Sequence, residues 1–135
     1  MSRIMAFDYG GKRTGIAVTD PMQIIATSLE TVDTTRVFDF VTNYMKTENV
    51  ERFVVGYPKD LMNRDQSITK HVNTFIAELE KKYNLPVSKV DERFTSLEAQ
   101  RTLVQSGMKK MQRREKGNLD KISATIILQA YLQSK

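Results

Sequence analysis

Apolar residues in the first third of the chain alternate and cluster with the short period of strands. Four apolar residues at 4–7 predict a short buried strand over residues 3–8 that ends at an aspartate. Residues 14–20 predict a second, β-branched strand, and residues 23–32 predict a third. Gly10 and Gly11 lie between the first two strands, where one of them is expected to adopt a positive φ in a hairpin bend. This pattern predicts three consecutive antiparallel strands.

The period then changes to that of helices alternating with short buried strands. Thr34 or Thr35 is the expected N-cap of a first helix, and His71 is expected to pack on the apolar stripe of a second. The predicted elements are helices after Thr35, over 66–82, after Thr95 and after Gly117, with strands at 52–56 and 87–90. The order βββαβαβαα predicts one α/β domain over residues 1–135, with a mixed five-stranded sheet and helices on both faces.

The composition excludes several classes of protein. Hydrophobic residues make up 40% of the chain and charged residues 27%, as in an ordinary soluble globular protein. The absence of cysteine excludes a disulfide framework and a thiolate metal site, and it suits the cytoplasm. No apolar run approaches the length of a membrane span, and an acid interrupts the early run, so neither a membrane partner nor a signal peptide is expected.

The net charge of +5 is concentrated in one segment of the chain. Between Arg101 and Lys121 seven cations stand against two acids, whereas the remaining chain balances fourteen against fourteen. Such a local excess is typical of a surface that binds a polyanion, although a solvated loop has the same pattern. The cations expected to contact a nucleic-acid backbone are Lys109, Lys110, Arg113 and Arg114.

Acidic positions predict a metal centre at one edge of the sheet. Asp8 ends the first strand, Asp91 and Glu92 end the last, and Asp120 lies one helical turn before Ala124 on an inward-facing row. Sites in open α/β sheets form where parallel strands end, so these acids are expected to converge. Clusters of oxygen ligands suit Mg²⁺ or Mn²⁺, and pairs of such ions cleave phosphodiester bonds.

Cations accompany the predicted acids. Lys12, Arg13 and Arg93 stand close to them in sequence and are expected to contact substrate phosphates, while Gly10 lets backbone approach. A Walker loop would require a lysine and a hydroxyl that open a helix, whereas here the chain continues into a strand. The sequence therefore favours a nucleic-acid substrate over a bound nucleotide.

Four stretches, "DYGGKRTGIAVTD", "VVGYP", "VDERFTS" and "LDKISATIILQAYL", resemble in order the YqgF family, the Holliday junction resolvases of bacteria, also described as nucleases for the 5′ end of pre-16S ribosomal RNA. The resemblance implies a ribonuclease H-like fold related to the RuvC resolvase. It further implies that Asp8, Glu92 and Asp120 are the catalytic, metal-binding acids, with Asp91 as the alternative to Glu92.

The chain also departs from the family pattern, and one alternative function stays open. Thr14 and Ser123 stand where apolar residues are expected, and the loop after "VVGYP" lacks the glycine that it often contains. One alternative is a non-catalytic nucleic-acid-binding or ribosome-assembly factor on the same fold. The residues do not distinguish RNA from DNA, and cleavage of a DNA junction would favour a homodimer.

Overall fold

The computed structural model describes residues 2–57, 66–91 and 116–134, including their side chains except at 66–69 and 116–121. The elements in these ranges are β1 (Arg3–Asp8), β2 (Arg13–Thr19), β3 (Ala26–Asp33), α1 (Val37–Tyr44), β4 (Val50–Tyr57), α2 (Gln66–Tyr83), β5 (Val87–Asp91) and α3 (Lys116–Ser134). A single 3₁₀ turn, Thr34–Arg36, joins β3 to α1.

The described strands form one mixed sheet in the order β3-β2-β1-β4-β5. The first three strands are an antiparallel meander, because β1 pairs with β2 and β2 pairs with β3 in opposite directions. β4 runs parallel to β1, and β5 runs parallel to β4. The carboxyl ends of β1, β4 and β5 therefore lie together at one edge, called the C-terminal edge below.

Alternate residues of the strands pack against helices on two different faces. Met5 and Phe7 of β1 belong to a buried cluster with residues of α1 and α2, which defines the α1/α2 face. The Phe7 ring centroid lies 5.7 Å from that of Phe53 and 5.3 Å from that of Phe75. Large rings therefore fill this face.

The opposite face of the sheet, called the α3 face, is built from smaller side chains. Ile4 and Ala6 of β1 share a buried cluster with Ala17 of β2 and with Ala124 and Ile127 of α3. All three alanines are fully buried. Because alanine adds little bulk between helix and sheet, α3 packs close to the strands.

The predicted α/β class, the mixed five-stranded sheet and the helices on both faces are confirmed. The predicted order is matched through β5 and again at the last helix, which begins at Lys116. The helix predicted after Thr95 lies outside the described residues. None of the described helices is long and apolar enough to cross a membrane.

The predicted N-cap of α1 is wrong. The N-cap positions are Asp33 for the 3₁₀ turn and Arg36 for α1, and neither makes a side-chain capping hydrogen bond. Thr34 lies inside the 3₁₀ turn, and its hydroxyl donates to the carbonyl oxygen of Gly10 instead. The Thr34 hydroxyl, one of the two candidates for the cap, therefore makes a tertiary hydrogen bond instead.

Candidate active site

The C-terminal edge of the sheet carries the acids predicted at strand ends. β1 ends at Asp8, β4 at Tyr57 and β5 at Asp91. Asp91 pairs with Tyr57, and continuing the register of β1 and β4 places Asp8 level with Gly56, one position earlier. Since neighbouring strands are about 4.8 Å apart, β1 and β5 are separated by roughly 10 Å.

Helix α3 runs antiparallel to β1, so that its first turns lie at the C-terminal edge. Its last turns line a cleft with the β2–β3 loop, in which Gln129 and Leu132 face Ile24. That loop lies at the opposite edge, because β2 ends beside the start of β1. Asp120 precedes Gln129 by nine residues, which corresponds to roughly 13 Å along the helix axis towards the C-terminal edge.

Asp8 and Asp91 lie on opposite faces of the sheet. Asp8 follows Ile4 and Ala6 at intervals of two residues, and both belong to the cluster with α3, so strand alternation places Asp8 on the α3 face. Asp91 follows Val87 by four residues, and Val87 packs on the α1/α2 face. Of the two aspartates, only Asp8 therefore shares a face with α3.

At the level of Asp8, both neighbouring strands contribute glycine. Asp8 pairs with Gly15 of β2, and the next position in the register of β4 is Gly56. Both glycines are buried, whereas Asp8 is half-buried. The surface beside the Asp8 carboxylate within the sheet is therefore backbone, an arrangement typical of sites where a ligand approaches a strand closely.

The β1–β2 turn projects from the same edge and carries Lys12, which is exposed. Arg13, which is half-buried, follows the turn as the first residue of β2 and pairs with Asp33 of β3. A Cβ on Gly10 would clash with the carbonyl oxygen of Arg13, whereas a Cβ on Gly11 would meet nothing within 4 Å. Neither glycine adopts a φ between +20° and +160°, so the expected positive φ is wrong. Gly10 is required because the backbone folds closely on itself.

A residue from outside the turn holds it in place. The Thr34 hydroxyl donates to the Gly10 carbonyl oxygen at 2.6 Å, and the Thr34 amide donates to the Lys12 carbonyl oxygen at 2.9 Å. The hydroxyls of Thr14 and Thr34 lie 2.9 Å apart. Sequence reasoning missed this pair, and the available signal was a threonine at position 14, where an apolar residue is expected.

The residue after β1, Tyr9, packs on the α1/α2 face, where its ring centroid lies 4.8 Å from that of Phe75. Burial raises the pKa of Tyr9, and the Glu78 carboxylate raises it further. His71 is exposed and lines a cavity of about 220 Å³ together with Tyr9 and Glu78, so the expectation that it packs on the apolar stripe of α2 is wrong. It precedes the buried Val72 by one residue, which is about 100° around the helix.

The other predicted site residues lie outside the described part of the chain. They are the acid Glu92 and the cations Arg93, Lys109, Lys110, Arg113 and Arg114, together with the side chain of Asp120. Among the side chains that the structure describes, no group of three or more His, Cys, Asp or Glu residues could hold a metal ion. Asp8 is the one predicted member of the acidic triad whose side chain is described.

Comparison with known proteins gives matches along the whole chain. A family model described as "RuvX: Holliday junction resolvase" matches residues 2–134. A protein of Bacteroides fragilis is 53% identical over 136 residues, which cover 100% of this chain and 99% of that protein. Proteins of Phocaeicola vulgatus and Amoebophilus asiaticus are each 50% identical, covering 100% and 99% of this chain and 98% and 96% of their own lengths. All three are named "Putative pre-16S rRNA nuclease".

The fold and the comparisons agree. A mixed five-stranded sheet with helices on both faces is consistent with the ribonuclease H-like fold implied by the four sequence motifs. The resemblance to the YqgF family is confirmed by a family match over residues 2–134 and by relatives 50–53% identical to the chain. The chain belongs to the RuvX (YqgF) family, a family of nucleases.

Proposed function

We propose that the protein is a divalent-metal-dependent endonuclease that hydrolyses phosphodiester bonds in structured nucleic acid, with the precursor of 16S ribosomal RNA as its substrate. The observation that carries this proposal is the convergence at the C-terminal edge of Asp8, the first turns of α3 and the cationic β1–β2 turn. The names of the relatives support the RNA precursor. The description of the family supports branched DNA as the second candidate substrate.

The proposed metal ligands are Asp8, Glu92 and Asp120. Asp120 precedes Ala124 by one helical turn, and Ala124 is fully buried against the α3 face on which Asp8 lies. Asp91 is disfavoured because strand alternation assigns it to the α1/α2 face. The position after Asp91 has the opposite parity, which favours Glu92 as the ligand from the end of β5.

The donor set fits a hard divalent cation. The chain has one histidine and no cysteine, and the proposed ligands offer carboxylate oxygens only. Such donors are typical of Mg²⁺ and Mn²⁺ sites and unlike those of zinc. The chemistry that these ions supply when bound is activation of the attacking water and neutralisation of charge on the leaving oxygen.

The cations of the chain would bind and orient the substrate. Lys12 lies in the turn that follows Asp8 and Arg13 begins β2 directly after it, so both are suited to contact phosphates next to the scissile bond. The backbone surface at Gly15 and Gly56 lets a phosphate approach the Asp8 carboxylate without a steric barrier from the strands. Arg93, Lys109, Lys110, Arg113 and Arg114 are proposed to contact the nucleic-acid backbone further away.

The experiment that tests the proposal is cleavage by purified protein with Mg²⁺ or Mn²⁺ and with EDTA as the control. The substrates are an RNA that carries the 5′ extension of 16S ribosomal RNA, the same RNA without the extension, and a four-way DNA junction. We expect metal-dependent cleavage of the extended RNA. Cleavage of the junction alone would select the second candidate, and binding without cleavage of any substrate would contradict an enzymatic role.

The control variant is Asp8→Asn, which removes the charge and keeps the shape of the side chain. Because loss of even an outer partner of a metal ligand lowers activity by about 10–100-fold, we expect this variant to lose more than about 100-fold in kcat. Equal cleavage by Asp8→Asn and the unsubstituted protein would show that contaminating nuclease, or another site, produces the activity.

The two candidate substrates also differ in the assembly that they require. Resolution of a junction needs two nicks placed symmetrically, which favours a homodimer, whereas trimming of a precursor RNA needs one nick. Sedimentation of the protein alone and with each substrate separates the two cases. A monomer on a cleaved RNA supports the primary proposal.

A further inference from the structure

We propose that Thr34 is a positioning residue that fixes the β1–β2 turn, and hence Lys12 and the start of β2 at Arg13, relative to Asp8. This inference rests on the proposed function, because it concerns how the same site holds phosphate. Thr34 is the first residue after β3, the strand next to β2, and it lies beside the turn because Asp33 pairs with Arg13. Its hydroxyl and its amide each donate to a carbonyl oxygen of the turn, at Gly10 (2.6 Å) and at Lys12 (2.9 Å).

Thr14 adds a further hydrogen bond, so that its hydroxyl, the Thr34 hydroxyl and the Gly10 carbonyl oxygen form a chain. The Thr34 hydroxyl has one proton, which it donates to the Gly10 carbonyl oxygen, so Thr14 must be the donor in the 2.9 Å contact between the two hydroxyls. Thr14 is fully buried, and a buried hydroxyl is costly unless it is bonded. Hydrogen bonds in such a chain polarise one another, so the Thr14 hydroxyl strengthens the hold of Thr34 on Gly10.

The turn needs this external support because of its composition. Gly10 and Gly11 are adjacent, and glycine has more conformational freedom to lose than any other residue. Gly11 is exposed, and nothing lies within 4 Å of its Cβ position, so no neighbouring atoms at that position restrict the conformation of the turn. The two carbonyl contacts to Thr34 therefore select one arrangement among those open to the turn.

The consequence concerns substrate binding more than the chemical step. Lys12 and Arg13 carry charge that attracts phosphate before and during reaction, whereas Asp8 belongs to strand β1 and pairs with Gly15 of β2. If the turn occupies its bound arrangement for only a fraction of the time, the apparent Kd rises in proportion. Loss of one hydrogen-bonded constraint corresponds to a rise of about 2- to 10-fold.

The test compares Thr34→Val with Thr34→Ser and Thr35→Val in the full chain. Thr34→Val removes the hydroxyl and keeps the shape, Thr34→Ser restores the hydroxyl, and Thr35→Val makes the same change at the exposed neighbouring position. The measurements are Kd for the extended RNA in EDTA, then KM and kcat with metal, and the urea midpoint of each variant. The dependence of Kd on salt is recorded, since each lost phosphate contact lowers its slope.

We expect Thr34→Val to raise Kd and KM by about 2- to 10-fold with kcat nearly unchanged, and to flatten the salt dependence of Kd. Thr34→Ser should restore both constants, and Thr35→Val should match the unsubstituted protein. A purely structural role would lower the urea midpoint without changing Kd of the folded protein. Wild-type Kd in Thr34→Val, no rescue by serine, or an equal defect in Thr35→Val would overturn the inference.

The outcome also separates this inference from the proposed function. Asp8→Asn tests the chemical step and should lose kcat while Kd in EDTA stays unchanged. If the unsubstituted protein binds the RNA without cleaving it, the enzymatic proposal fails and the Kd comparison still decides the role of Thr34. If it neither binds nor cleaves RNA or junction DNA, both are overturned.

Discussion

The two faces of the sheet differ in the size of the side chains that the same strands contribute to them. On the α1/α2 face, Phe7 meets the rings of Phe53 and Phe75, and this aromatic cluster supplies bulk. On the α3 face, the same strand contributes Ile4 and Ala6, and its next residue of that parity is Asp8. The difference teaches that one face stabilises the domain, while the other brings a helix close to the end of β1.

The contrast continues at the C-terminal edge. On the α1/α2 face, the Lys89 ammonium lies 4.7 Å from the centroid of the Tyr57 ring, and the Asn73 amide donates to the Tyr57 hydroxyl at 3.1 Å. Asp91 has the same parity as Lys89 on β5 and therefore lies on the same face as these contacts between β4, β5 and α2. Asp8 has glycine neighbours on both strands instead.

The largest expected effect on stability is that of Phe7→Ala on the α1/α2 face. The side chain is fully buried among aromatic rings, and its removal leaves a cavity, so the free energy of unfolding should fall by about 3–5 kcal/mol. Urea unfolding measures this change. A loss below about 1 kcal/mol would show that the aromatic cluster is not the main stabilising feature of this face.

A smaller effect is expected on the α3 face from Ala124→Leu. The added side chain must fit between α3 and the strands where Ala124 is fully buried, which should cost about 1–3 kcal/mol in the free energy of unfolding. Because α3 also carries Asp120, kcat should fall in the same variant. Gln129→Leu on the exposed side of the helix is the control and should change neither quantity.

The β1–β2 turn allows a comparison of two adjacent glycines. Gly10→Ala should lower the free energy of unfolding by more than about 1 kcal/mol, because its Cβ would clash with the Arg13 carbonyl oxygen. Gly11→Ala should be neutral or slightly stabilising, since nothing lies within 4 Å of its Cβ. Equal urea midpoints for the two variants would contradict the described geometry of the turn.

The smallest effect is expected at Asp20, at the edge opposite the site. The Ile25 amide, followed by the Ile24 and Met22 amides, donates to its carboxylate and lowers the pKa of Asp20. A lowered pKa in the folded state stabilises the protein above the unfolded value of about 3.9, and this stabilisation is lost as the pH falls through the folded value. The urea midpoint of Asp20→Asn should therefore lie slightly below that of the unsubstituted protein at pH 7 and converge with it in acid, with unchanged cleavage.

The strands and most of the helices could be predicted from the sequence, because the spacing of apolar positions follows directly from which residues are buried. β1 over residues 3–8 and α2 from residue 66 are examples in which local pattern and tertiary packing agree. The cap predicted at Thr34 or Thr35 is wrong, and for Thr34 the reason is that a hydroxyl can bond locally or to a neighbouring strand's turn, which local pattern does not distinguish. The prediction for His71 was wrong because each step of one residue turns by about 100° around the helix, so a residue next to a buried one can lie outside the apolar stripe.

The candidate site was predictable as a set of strand ends but not as a choice between neighbours. The sequence alone identifies Asp91 and Glu92 as adjacent acids of opposite parity, without saying which parity faces the last helix. That choice depends on α3 packing against Ala6 and Ala17, which is a long-range fact. The hydrogen bonds from Thr34 to the turn are equally long-range, since residue 34 is 24 positions from Gly10.

The most direct test of the central claim compares Asp8→Asn with Asp91→Asn in the metal-dependent cleavage assay, each checked for folding by its urea midpoint. The two variants make the same chemical change at the ends of two parallel strands, on opposite faces of the sheet. The predicted result is a loss of more than about 100-fold in kcat for Asp8→Asn and near-normal kcat for Asp91→Asn. A normal kcat in Asp8→Asn, or an equal loss in folded Asp91→Asn, would contradict the assignment of the site to the α3 face.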